Sequence, residues 1–305
     1  MHSKIRGIVF CLLSFVLSFV LLLLSISVML EATILNPSYI LDNMNTTNYF
    51  TDKKDEITRE LVDLGYASGL EESFFGNVVE TVTIHDDTED YLESYYNGGS
   101  AKISTVAFRQ RFNSELDSYI KKNNVKVASS DSREYLINKA ASVYEANLRI
   151  PMFSMLSPYL TALKDMMPLL IGGLVVFAAI LCVIIIFANR WKHRAVRYIC
   201  YSTSAAFLTV GIIPAVLLST GYVSKINIES RAFYNLFVQS MNSVLIALAI
   251  CSAVFLIISI GLFFLHKNMR KHGRISKRDS DRVFYESIVN IVKSFCIVAG
   301  DLQKL

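Results

Sequence analysis

The stretch PLLIGGLVVFAAILCVIIIFA, residues 168–188, decides the fold class of this chain. It contains no Asp, Glu, Lys or Arg. At about 1.5 Å rise per residue, an apolar helix of about 20 residues matches a hydrocarbon core about 30 Å thick. Residues 8–30, 198–223 and 244–265 read the same way and are equally free of charge. Four such spans predict an all-α, polytopic membrane protein, because a helix satisfies its own backbone hydrogen bonds in lipid. Composition agrees: 53% of the chain is hydrophobic and its mean hydropathy is +0.42, above the usual range of a soluble domain.

Charge then orients the spans. The formal net charge of +4 conceals an asymmetry, since residues 31–166 hold 21 acidic against 13 basic residues. The excess positive charge sits in three flanks: Lys4 and Arg6; Arg190, Lys192, Arg194 and Arg197; and the segment from Lys267 to Lys304. Lys and Arg collect on the cytoplasmic side of spans, so all three flanks belong on that side. The resulting organisation is a cytoplasmic amino terminus and retained signal-anchor helix (1–30), an extracytoplasmic domain (31–167), three further spans with short loops (168–265), and a basic cytoplasmic tail (266–305). The loop 224–243 falls on the outer side. Trp191, Tyr198, Tyr201 and Tyr222 fall at the predicted interfaces, where amphipathic rings prefer to sit.

The segment 31–167 is long enough for its own core, and its apolar residues recur at helical spacing. Asn36-Pro37-Ser38 signals a helix start ahead of Tyr39, Ile40 and Met44. Phe50, Ile57, Leu61 and Leu64 follow, then a compact apolar knot of Leu70, Phe74, Phe75, Val78 and Val79. Further stripes run through Leu92, Tyr95 and Tyr96, through Phe108, Phe112, Leu116 and Tyr119, and through Leu136, Ile137, Ala140, Val143, Tyr144 and Leu148. About five helices with polar connections predict a small bundle, since each stripe must be buried against another.

A basic amino terminus, a signal anchor, Leu35-Asn36-Pro37-Ser38-Tyr39 and Gly65-Tyr66-Ala67-Ser68-Gly69-Leu70 together resemble a group of uncharacterised four-span membrane proteins of Gram-positive gut bacteria. The resemblance covers roughly residues 1–265 and consists of layout and short runs. It implies a bacterial plasma membrane and an outward-facing helical domain, and it implies no activity.

Sites of chemistry are sparse. The acidic run His85-Asp86-Asp87-Thr88-Glu89-Asp90 lacks the loop and turn-forming Gly of a calcium site. Asp86 or Asp87 is expected to cap a helix whose first turn holds Glu89 and Asp90, leaving His85 on an exposed flank. Cys11, Cys182, Cys200, Cys251 and Cys296 show no metal-ligand spacing and read as apolar filler. Zinc-protease, nucleophile-elbow, phosphate-loop and dinucleotide-binding patterns are all missing, so no catalytic residue, cofactor or metal is expected. No nucleic-acid partner is expected either.

No ionisable residue lies at depth in any span, which disfavours a proton-coupled transporter. Ser202, Thr203, Ser204, Thr209, Gly211 and Pro214 in the third span are expected to serve helix contact. The run from Arg149 to Leu160, with Pro151 and Pro158, is expected to form a broken juxtamembrane elbow. In the tail, Phe284, Ile288, Ile291 and Phe295, continued by Val298, Leu302 and Leu305, follow alternating steps of four and three. They suit either a short coiled coil or an amphipathic helix on the membrane surface. The expected function is that of a non-enzymatic receptor, sensor-like subunit or scaffold, with the bilayer and a protein partner or second copy as its contacts. Phe74 and Phe75 in the outer domain, and Phe284, Ile288, Ile291 and Phe295 in the tail, are the candidate partner-binding residues. The alternative is an oligomeric channel or transport subunit.

Overall fold

The computed structural model describes residues 2–66, 70–99, 102–124, 130–150, 153–189 and 191–272, together with Val289. No strand occurs among the described residues. In chain order the helices are α1 (His2–Ala32), α2 (Pro37–Thr46), α3 (Tyr49–Tyr66), α4 (Glu72–Val78), α5 (Thr81–Tyr96), α6 (Val106–Asn123), α7 (Ser130–Leu148), α8 (Phe153–Ala188), α9 (Lys192–Thr220) and α10 (Arg231–His272), with a 3-10 turn at Val223–Lys225. Four of them, α1, α8, α9 and α10, are long and apolar enough to cross a membrane.

The chain forms two compact units: unit 1 comprises Met1–Ala32, Met166–Val223 and Asn242–Leu305, and unit 2 comprises Thr33–Asp165 and Ser224–Met241. Unit 2 therefore covers 33–165 of the segment 31–167 and also the stretch 224–241, which the sequence presents only as a loop before the fourth span.

Unit 2 is organised around α3, which touches α2, α4, α5 and α7. Its stripe of Tyr49, Phe50, Ile57 and Leu61 is buried because those positions share one helical face. Gly65 ends that stripe, and a side chain there would collide with the ring of Phe75. Asn36 caps α2 as its sequence suggests, with the side-chain oxygen accepting the Ser38 N–H at 3.1 Å and Pro37 in the first turn. Phe108 and Tyr144 stack at 4.4 Å between ring centres, joining α6 to α7.

Two local expectations are corrected. Asp86 and Asp87 do not cap a helix: α5 begins at Thr81 after Glu80, so both lie in its second turn. The prolines do not break α8 into pieces either. Helical backbone continues through Pro158 and Pro168, each ring removing one backbone donor without ending the helix. Pro151 lies outside the described residues.

Unit 1 packs α1, α8, α9 and α10 through thin contact seams. Leu17 and Val20 of α1 meet Leu181 and Ile185 of α8 and Ala195 of α9. Val196 of α9 meets Leu262, Leu265 and Met269 of α10, and Ala206 and Val210 meet Phe255. Most of the remaining apolar surface faces outward, with Leu169, Phe187 and Ile257 at least 69% exposed. Apolar surface on that scale suits a lipid solvent and is rare in water.

Candidate functional site

The clearest constellation in unit 2 is a buried charged centre that grows from one anomaly on α3. Lys53 occupies the apolar stripe between Phe50 and Ile57 and is only 2% exposed. A lysine is almost never buried without a partner. Its Nζ donates to Glu56 Oε2 at 2.7 Å and lies 4.7 Å from the ring centre of Phe233. Phe233 also packs edge-on against Tyr49, 5.7 Å away.

Glu56 in turn holds the start of α10. Its carboxylate accepts from the Ser230 hydroxyl at 2.8 Å and from the Ala232 backbone N–H at 3.1 Å. Ser230 precedes the helix and its Oγ accepts the Phe233 N–H at 3.3 Å, the pattern of a helix N-cap. A negative charge at this end is favoured by the helix dipole. Burial raises the Glu56 pKa, but hydrogen bonds from Lys53, Ala232 and Ser230 outweigh it and hold the carboxyl below its usual value. Asp52 extends the clasp by accepting from Asn235 Nδ2 at 2.8 Å, with Arg231 Nε 3.7 Å away. Tyr39 adds a bond from its hydroxyl to the Ser240 carbonyl at 3.1 Å.

Chemically this centre is a clasp. Its carboxylate is saturated by donors and its amine is engaged, so its action is to fix the 224–241 segment onto α2 and α3. A sequence signal for it exists in hindsight: Lys53 interrupts an apolar stripe, with an acid three residues later.

A second buried polar pair lies on α5 and α7. Tyr144 donates to Asp87 Oδ2 at 2.7 Å, and both residues are buried. Burial raises the Asp87 pKa, the Tyr144 bond opposes it, and the charges of Asp90 and Asp86 add to the rise, leaving the group above its usual value. Asp87 shares the face of Ile84, Tyr91 and Leu92, so its helical register was the available clue to its burial. On the opposite side of α5, His85, Asp86 and Glu89 bring potential ligand atoms within 4.8 Å of one another. His85 is half-buried against the Phe50 ring at 4.9 Å, where an exposed flank residue was expected.

The expected partner-binding residues fall differently. Phe74 and Phe75 are 4% and 0% exposed. They form edge-on ring pairs with each other and, through Phe74, with Phe112 and Tyr119. In this packing they are core residues of unit 2, because the apolar knot that suggested a contact surface is satisfied internally by α6. Phe284, Ile288, Ile291 and Phe295 lie outside the described residues.

In unit 1 the third-span hydroxyls meet other helices. Ser202 and Ser14 lie 2.9 Å apart through their hydroxyls, Ser204 pairs with Ser259, and Ser252 donates to the Phe207 carbonyl at 3.0 Å. A side chain on Gly211 would collide with Ser252, so that glycine permits close approach of α9 and α10. Thr203 is buried, whereas Thr209 is exposed and bonds its own helix at the Ala205 carbonyl. No protein-family model, curated protein or solved structure matches the chain.

Proposed function

We propose that the protein is a non-enzymatic, multi-pass component of the plasma membrane, with both termini cytoplasmic, that acts as a receptor, sensor-like subunit or scaffold through unit 2 on the outer face. One observation carries this reading. The two segments that the distribution of Lys and Arg assigns to the outer side, 31–167 and 224–243, supply the two segments that fold together as unit 2. They are separated in sequence by two spans, so folding together requires them to share one face of the membrane. The Glu56 and Ser230 contact at 2.8 Å is one of the bonds that link them.

A compact domain of this kind, with a saturated charged clasp and no assembled acid, base and nucleophile among the described residues, supports binding as its role. The hydroxyls of the third span bond to neighbouring helices or to their own backbone, which supports packing over a solute path. Photo-reactive residues placed at the exposed positions Tyr66 and Tyr135 in intact cells test the reading. Crosslinks to one defined protein, or to a second copy, are expected from at least one position. Solute flux from liposomes holding the purified protein, sensitive to Thr209→Val, would replace this reading with a channel.

A further inference from the structure

We propose that one end of unit 1 is a binding site for the phosphate of an anionic phospholipid, with Arg6 and Arg197 as its principal donors. Three helices bring cations to this end: Arg6 from α1, Arg194 and Arg197 from α9, and Lys267 and Arg270 from α10. Their convergence is set by contacts within the unit. Arg6 donates to the carbonyl of Ala188 at the end of α8 and lies 5.8 Å from the Phe10 ring centre. Phe10 packs on Tyr198 at 5.5 Å, and the guanidinium of Arg197 lies 5.3 Å from the Tyr198 ring centre. Each guanidinium group thus lies beside one ring of the same aromatic pair. His266 and the His193 carbonyl, 2.7 Å apart, join the ends of α9 and α10 beside them.

Two observations point to an anion. The sole carboxylate among the described residues of unit 1 is Glu31, at the other end of α1. Arg197 Nε is buried and has no hydrogen-bond partner among the described residues, and a buried charged donor left unsatisfied is costly. An acceptor for these guanidinium groups must be negatively charged, match their planar fork and be present at the end of a membrane span, and a lipid phosphate meets all three conditions. Trp191 and Tyr198, ring-bearing residues suited to the headgroup layer, stand at the same end of α9. The site does not depend on which side of the membrane this end occupies.

The full-length protein, reconstituted in vesicles of equimolar phosphatidylglycerol and phosphatidylcholine and extracted in mild detergent, provides the test through its retained lipid. Retained phosphatidylglycerol should exceed phosphatidylcholine, and Arg197→Gln and Arg6→Gln should each reduce that excess about fivefold. Arg133→Gln in unit 2 should leave it unchanged. Equal retention of the two lipids by the unaltered protein would overturn the proposal, as would an excess that survives both arginine changes. Loss of the excess on adding inorganic phosphate would also overturn it, by making a free anion the occupant. Should Arg197→Gln fail to fold, the unaltered protein and Arg6→Gln still decide the matter.

Discussion

In unit 2 a buried lysine meets a carboxylate at 2.7 Å, whereas in unit 1 the buried polar contacts join uncharged groups, hydroxyls, thiols and the Asn189 amide, to one another or to backbone carbonyls, as in Ser14 with Ser202 and Cys200 with Ser259. Unit 2 can afford ions in its core because opposite charges and an N-capped helix lie within reach of one another. Each unit also fills its apolar interior differently. Unit 2 closes over interlocked aromatic rings, while unit 1 makes narrow seams and leaves most of its apolar surface outward. The difference follows from the solvent each composition suits: water drives apolar burial, but lipid is as apolar as the side chains themselves and leaves packing and small polar contacts to hold helices together.

The comparison breaks first at the apolar cores. Phe75→Ala should cost unit 2 about 3–5 kcal/mol, since a fully buried ring leaves a cavity and exposes its neighbours. Leu17→Ala, also buried, should cost unit 1 less, because lipid can wet the vacated seam. Helical circular dichroism followed through thermal unfolding in detergent measures both, and equal losses would contradict the distinction.

The charged clasp gives the next effect. Glu56→Gln leaves Lys53 buried without its counter-charge and should destabilise unit 2 by about 3 kcal/mol. This is the lower end for a broken buried pair, because the Glu56 side chain stays 17% exposed. Replacing Lys53 by Met in the same chain should recover much of the loss. Failure of that recovery would show that Glu56 acts mainly through α10.

pH sharpens the contrast inside unit 2. The folded pKa of Glu56 lies below its ordinary value of 4.5. Its contribution is therefore full above about that value and is lost as pH falls through the folded pKa. Asp87 has the opposite sign, since its folded pKa is raised from 3.8; the fold favours its neutral form, and stability declines as pH rises from 3.8 through the folded value. Asp87→Asn should remove that decline while keeping the Tyr144 bond, and Glu56→Gln should remove the acid-side loss. Unfolding midpoints measured from strongly acidic to neutral pH distinguish the two.

The smallest change is expected in the spans. Ser202→Ala removes one contact with Ser14 and should cost about 0.6 kcal/mol, the typical worth of a hydroxyl bond between membrane helices. A loss as large as that of Glu56→Gln would mean that unit 1 also depends on a central polar cluster.

Much of this architecture was legible beforehand where a single periodic signal dominated. The four spans, the cap at Asn36 and the stripe of Phe108, Phe112 and Leu116 all follow from local spacing. The polar centre was not legible in the same way. Glu56 and Ser230 are 174 positions apart, and Asp87 and Tyr144 are 57 apart, so neither link leaves a local pattern. Phe74 and Phe75 show the same limit: an apolar knot read along the chain does not reveal whether a partner protein or α6 covers it.

What the sequence determined by itself is the helical class and the four apolar segments, because length, hydrophobicity and the absence of charge act residue by residue along one helix. The tertiary structure decided which segments share a compact unit, that Ser224–Met241 joins Thr33–Asp165, and that Lys53 and Asp87 are buried with Glu56 half-buried beside Lys53. A charge can be buried only where its partner is brought to it. That partner comes from a distant part of the chain, and only folding puts the two within a hydrogen bond of each other.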